Sequence, residues 1–242
     1  MQLRIPGAAP YRVAHLFHKA PAGMTVSPIE LESGNSPNAT IIVLHGLGAD
    51  GNDFVPLCRR LALDPVGPVR FVLPDAPERP VTRDGGYVMR AWFDLYAPGA
   101  GQEAEADVRA SQALVDALIA REVERGVPAS RIVLMGFSQG CAMALFAGLR
   151  HPDRLAGIVG LSGYLPLAAA TAHERSEANA DVPVFLAHGT QDDVVTIDRA
   201  LAAREVLDAL AVPYEWHVYG IDHEVNIEEI RDINRWLLRV LA

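Results

Sequence analysis

The pattern Gly136-Phe137-Ser138-Gln139-Gly140 lies between an apolar run at 132–135 and a run of small, apolar, helix-forming residues that ends at Leu149. No other stretch restricts the fold of this chain as strongly. The first run reads as a fully buried parallel strand and the second as the helix that follows it. A serine hydroxyl is a poor nucleophile and has to be lifted out of the sheet to reach a base. A tight strand-to-helix turn does this, and glycines two residues before and two after the serine let the elements pack without a Cβ clash. The start of the helix adds unpaired N–H groups and the positive end of its dipole. Ser138 is therefore read as a nucleophile on an elbow, in preference to an ordinary capping serine.

The rest of the chain supplies the alternation that such an elbow needs. Strand-like runs at 40–44, 69–73, 155–161, 182–187 and 214–219 alternate with helix-like runs at about 52–63, 103–124, 197–210 and 227–241. In the second of these, Val108, Leu114, Val115, Leu118 and Ile119 fall at helical spacing. This order predicts a mostly parallel sheet with helices on both faces, in one α/β domain over residues 1–242. Residues 11–17 and 24–32 read as an antiparallel edge. His15 and His18 would point to opposite faces of the first strand, so no metal site is expected there. The stretch 164–181 is far too short for a cap domain, which leaves the site open.

Composition narrows the function classes. A formal net charge of −9 without a long basic run argues against nucleic acid and anionic membrane surfaces. No apolar stretch reaches transmembrane length, and residues 1–10 lack the apolar core of a signal peptide. Cys58 and Cys141 both fall in apolar, helix-like segments, where a reduced, buried state is favoured over a disulfide. The expectation is a soluble cytoplasmic protein without integral membrane association.

Functional groups in such sheets gather outside the carboxyl ends of the strands. Three strand ends carry candidates: Ser138, the adjacent pair Asp192 and Asp193, and His223. Of the histidines, only His217 and His223 follow the acids. His217 sits inside a strand between Trp216 and Val218, whereas His223 lies on a loop, so His223 is the candidate base. The order Ser, Asp, His is that of the α/β-hydrolases. The glycine-rich loop from His45 to Asn52 lacks the Lys-Ser/Thr of a phosphate loop and the G-x-G-x-x-G of a dinucleotide site. It reads instead as the loop that gives an oxyanion hole one backbone N–H, from Leu47, beside the N–H of Gln139. The long connection at 74–99 contains Trp92 and Phe93, read as an apolar wall of the substrate site, with a core-filling role as the alternative. Acyl transfer by these groups requires no metal and no organic cofactor.

Taken together, Leu44 to Gly51, Arg90 to Asp94, Gly136 to Gly140, Leu161 to Pro166, His188 to Val195 and His223 resemble the phospholipase/carboxylesterase family. That family includes bacterial carboxylesterases and acyl-protein thioesterases. The resemblance implies an α/β-hydrolase fold without a large cap, and Ser138, Asp192 and His223 as a catalytic triad. It departs in one place: the family's histidine usually follows a glycine, and here Asp222 precedes His223. The expected activity is hydrolysis of carboxylic esters with short to medium acyl chains. Acyl-protein thioesterase or lysophospholipase activity is the alternative, and amide cleavage on the same scaffold a further one. A non-catalytic binding module is disfavoured by the intact Ser, Asp and His. The expected partner is a small-molecule acyl ester or thioester; a homodimer is left open.

Overall fold

In the computed structural model, which describes residues 11–13, 27–96 and 103–242, eight strands join in one sheet. They are β1 (Arg12–Val13), β2 (Ile29–Glu32), β3 (Ala39–Leu44), β4 (Val69–Leu73), β7 (Ile132–Phe137), β8 (Gly157–Leu161), β9 (Val184–Gly189) and β10 (Tyr214–Tyr219). A separate hairpin pairs β5 (Glu78–Val81) with β6 (Tyr87–Arg90). The helices are α1 (Val55–Cys58), α2 (Glu105–Glu124), α3 (Gln139–Arg150), α4 (Thr171–Glu174), α5 (Ile197–Ala209) and α6 (Ile227–Val240). Residues 14–17, 24–26 and 97–99 of the expected edge strands and long connection lie outside the described residues, as do His15 and His18.

The sheet order is β1-β2-β4-β3-β7-β8-β9-β10. From β4 to β10 all neighbours are parallel, and β1 and β2 pair antiparallel at the edge. Alternate side chains of β7 show why the strand is apolar throughout: Ile132 and Leu134 pack on one face, Val133 and Met135 on the other. The first face is covered by α2, α3 and α5 through residues such as Val115, Phe146 and Leu207. The second is covered by α1 and α6 through Leu57, Ile233 and Trp236. Cys58 and Cys141 are buried free thiols. Among the described residues no helix is long and apolar enough to cross a membrane.

Two expected elements differ from their sequence reading. The helix read at about 52–63 is a short 3-10 turn (Gly51–Phe54) followed by the single turn of α1. A continued helix would bond the Ala62 N–H to Cys58; Asn234 Oδ1 takes that N–H instead, at 2.7 Å. The chain is then free to turn Leu61 and Leu63 into the core beneath α6. The connection after β4 is not irregular, since it contains the β5–β6 hairpin. Its turn passes through Gly85 and Gly86, both at positive φ, and Thr82 is held by Asp94 through its N–H (2.7 Å) and hydroxyl (2.6 Å).

Buried charge is handled in two opposite ways. At the amino edge of the sheet, Arg70 of β4 bonds Glu122 of α2 at 2.7 Å and Glu32 at 2.8 Å, and Thr40 also donates to Glu122. Arg121 and Arg125 bridge Glu122 to Glu30. Burial pushes the Glu122 carboxyl up, but Arg70, Arg125 and Thr40 outweigh it and hold the group below its usual range. Glu229 of α6 is equally buried, at 1% exposure, with one carboxyl oxygen unbonded and no cation paired to it among the described residues. Burial, with a smaller contribution from Asp232, raises its pKa from the usual 4.5 to about 8.

The sign of the consequence is set by linkage. A carboxyl with a raised folded pKa favours the folded state while protonated, and that contribution is lost as pH rises from 4.5 through about 8. Glu229→Gln removes the charge and keeps the shape. The variant is expected to exceed the parent in unfolding free energy by about 1–3 kcal/mol at pH 8.5, with the gap closing toward pH 5. Urea unfolding of both proteins at the two pH values checks this; an equal gap at both would assign the effect to packing.

Candidate active site

The loops after β3, β7, β8, β9 and β10 leave the carboxyl edge of the sheet side by side, because the register aligns the strand ends. Leu44 pairs with Gly136, Phe137 with Leu161, and Tyr219 with Gly189. Directly after Phe137 the chain reverses. Ser138 takes φ 56° and ψ −117°, a strained conformation for a residue with a Cβ, and α3 begins at the next residue. The glycines on either side are there for space. A Cβ on Gly136 would lie 2.1 Å from the Gly140 carbonyl oxygen, and one on Gly140 would lie 2.0 Å from that of Leu44. The turn is held open by the Ser138 N–H, which donates to Leu161 O at 2.9 Å.

The loops after β9 and β10 are tied together before their side chains meet. The Thr190 N–H donates to Tyr219 O at 2.8 Å and that of Gln191 to Ile221 O at 3.1 Å. Gly189 permits the approach, since a Cβ there would lie 2.4 Å from Ile221 O and Asp222 O. The result is a hydrogen bond of 2.7 Å between His223 Nδ1 and Asp192 Oδ2. A carboxylate only accepts, so Nδ1 carries the proton and Nε2 keeps its lone pair. The other carboxylate oxygen of Asp192 accepts the N–H groups of Val194 (3.0 Å) and Val195 (2.8 Å). The neighbouring Asp193 is exposed and makes none of these contacts. Asp222 is also exposed and is not among the residues at positive φ, so glycine is not required before His223.

Two side chains that the sequence reading passed over complete the surroundings. His188, at the end of β9, is buried with Nε2 2.7 Å from Val195 O and 3.4 Å from Asp192 Oδ2. Its Nε2 therefore carries a proton, and burial lowers its pKa, so the ring stays neutral beside the acid. The four-residue spacing from His188 to Asp192 was the available signal. Gln139 is the second: its Oε1 accepts the Trp92 N–H at 2.8 Å and its Nε2 donates to Phe93 O at 2.7 Å.

That clamp holds two aromatic residues away from the cleft. Trp92 and Phe93, expected as a wall of the substrate site, are both completely buried and do not reach the cleft. The Trp92 indole N–H donates to His45 O at 2.9 Å, and Ser111 donates to Trp92 O. His45 in turn accepts the Ala76 N–H at Nε2 (2.9 Å) and donates from Nδ1 to Gly46 O (2.7 Å). Burial lowers the His45 pKa and keeps it in this neutral form. Trp92 thus acts from below, fixing the Gly46–Gly48 turn. In that turn the N–H groups of Gly48 and Ala49 are taken by Arg90 O and Gly46 O.

A cleft of about 640 Å³ opens over these groups, lined by Ser138, His223, Leu47 and Gln139. Its apolar wall comes from Phe54, Leu57, Leu95, Val194, Val225 and Ile230 instead of the two buried aromatics. The first N–H of a helix has no intrahelical acceptor, so that of Gln139 is available to a ligand at this edge.

A parallel sheet sandwiched by helices, with a serine elbow at its carboxyl edge, defines an α/β-hydrolase. Residues 28–241 match the model of the phospholipase/carboxylesterase family. The chain is 39% identical to acyl-protein thioesterase 1 of Yarrowia lipolytica over 82% of its own length and 90% of that protein. It superposes on the crystal structure of SOBER1 from Arabidopsis thaliana with a TM-score of 0.80, at 30% identity, covering 84% of this chain and 99% of the other. For acyl-protein thioesterase 2 of Zea mays the TM-score is 0.75 at 29% identity, with 93% and 97% covered. The chain belongs to the phospholipase/carboxylesterase family.

The Gln139 clamp makes a prediction. Gln139→Ala leaves the buried Trp92 N–H and Phe93 C=O without partners, at about 1–3 kcal/mol for each group. Equilibrium unfolding in urea should show a loss of at least about 2 kcal/mol. A loss below about 0.5 kcal/mol would mean the clamp is replaced by water.

Proposed function

We propose that the chain hydrolyses acyl thioesters, in the manner of an acyl-protein thioesterase, through an acyl-enzyme on Ser138. This is the alternative named from the sequence, and the relatives named as acyl-protein thioesterases favour it over the expected hydrolysis of oxygen esters. The observation that carries the chemistry is the bonded Asp192–His223 pair, which leaves Nε2 free on the cleft that also holds the strained Ser138.

The groups divide the work as follows. His223 Nε2 takes the hydroxyl proton as Ser138 Oγ attacks the acyl carbonyl, and a tetrahedral oxyanion forms. Asp192 fixes the ring tautomer and balances the imidazolium charge, without itself taking the proton. The N–H groups of Leu47 and Gln139 receive the oxyanion, worth about 3 kcal/mol per donor in comparable sites. The intermediate collapses, the C–S bond breaks, and the imidazolium returns its proton to the departing thiol. Water, deprotonated by His223, then cleaves the acyl-serine ester and releases the carboxylic acid. An oxygen ester follows the same steps with an alcohol as leaving group, so substrates with matched acyl groups as thioester, ester, lysophospholipid and amide rank the leaving groups directly.

Two measurements test the assignment. A fluorophosphonate should modify Ser138 and abolish turnover, with the adduct found by mass spectrometry; full activity in Ser138→Ala would remove the proposal. Asp192→Asn should favour the wrong imidazole tautomer and lose at least about 10²-fold in kcat, against less than about 10-fold for the exposed Asp193→Asn. The reverse ranking in two folded variants would mean that the acid is Asp193.

A further inference from the structure

A second cavity, of about 570 Å³, lies beyond the cleft, and Tyr164 and Arg199 line both. Leu165, Leu167, Ala168 and Ala202 make much of its lining apolar. Tyr164 belongs to the segment after β8, and Arg199 to the first turn of α5. The Arg199 guanidinium lies on the Tyr164 ring, 3.3 Å from its centre, and donates to Glu103 Oε1 at 3.0 Å. Glu103 lines the second cavity, and its side chain is 3% exposed. An almost fully buried carboxylate is thus satisfied by the same cation that is stacked on the shared ring.

We infer that the Arg199–Glu103 ion pair, stacked on Tyr164, is the end wall of the acyl site and limits the length of acyl chain it accepts. The cavity beyond it, a largely apolar hollow open to solvent, is the space a longer chain would occupy once the wall was made neutral. This inference rests on the acyl-hydrolase reading above. Along an apolar wall each buried methylene improves binding by about fourfold. At the end wall the next methylene has to lift the guanidinium from both its ring and its carboxylate. Leaving Glu103 charged, buried and unpaired is strongly unfavourable, and so is desolvating the cation without its ring. The gain with chain length should therefore stop at the wall, even though apolar space continues behind it.

The test compares p-nitrophenyl butyrate, octanoate and laurate, each kept monomeric, and reads the ratio of kcat/KM for laurate to that for butyrate. Using a ratio within each protein cancels any general loss of activity. Arg199→Met with Glu103→Gln removes both charges together and should raise the ratio at least about tenfold over the parent. Arg199→Gln with Glu103→Gln, which also removes both charges but keeps a side-chain donor and acceptor facing each other, serves if the first double variant is unstable, with a rise of the same direction. Adding Ala202→Trp to the opened protein should fill the second cavity and return the ratio to the parent value. A ratio within about twofold of the parent in folded variants overturns the inference. So does a rise that Ala202→Trp leaves untouched, or a parent whose kcat/KM climbs without a break to laurate. If the parent turns over none of these esters and no matched thioester, the acyl-hydrolase reading itself fails, and this inference with it.

Discussion

The site depends on how closely α3 approaches the ends of β3 and β7. Gly140 brings the helix within a distance of the Leu44 carbonyl that no side chain would allow, and Gly136 does the same on the strand side. That contact forces the reversal at Ser138 into its left-handed conformation. The cost of such a conformation, of order 1–3 kcal/mol, is borne by a core in which every residue of α3 is buried. A rigid helix start then sets the direction of the Gln139 N–H and, through the Gln139 side chain, the backbone at Trp92 and Phe93. Ser138 and the loop beside it are positioned by one packing event.

Asp192 and His223 are positioned by different means. Asp192 is held from three sides, by two backbone N–H groups, by His223 and by the neutral ring of His188. A carboxylate buried this fully needs such partners, since desolvation alone would drive it to the protonated form. Glu229, only six residues beyond His223, has one carboxyl oxygen unbonded, and burial pushes its pKa up to about 8. Two buried carboxyl groups of one region thus have opposite surroundings, Asp192 faced by several donors and Glu229 left with one oxygen unbonded.

What could be read from the sequence was whatever depends on local pattern. The elbow at Ser138, the parallel sheet with helices on both faces and the loop position of His223 all follow from glycine spacing and apolar runs. Asp192 and Asp193 are adjacent and chemically identical, and only the resemblance to a family and then the tied loops separate them. Trp92 and Phe93 were misplaced because an aromatic residue near a site has the same sequence whether it faces the cleft or the core. Their burial is decided by His45 and Gln139, far away in the chain. The β5–β6 hairpin was hidden by Pro80 and by exposed polar positions, which blur the alternation a strand otherwise shows. The Gln139 side chain acts through tertiary contacts that no spacing rule reports, and the part of His188 shows in the sequence only as its four-residue spacing to Asp192.

The cluster of Arg70, Arg121, Arg125, Glu30, Glu32 and Glu122 sits at the end of the sheet away from the cleft. Removing ions from water becomes less unfavourable on heating, whereas the stabilisation from apolar burial levels off. The two ends of the sheet therefore respond differently to temperature. Warming strengthens, in relative terms, the clasp between the antiparallel edge and α2, and favours opening first around the exposed hairpin and the loops at the mouth. Such an enzyme would lose its catalytic geometry before its scaffold, so that heat inactivation and global melting would be two separate events.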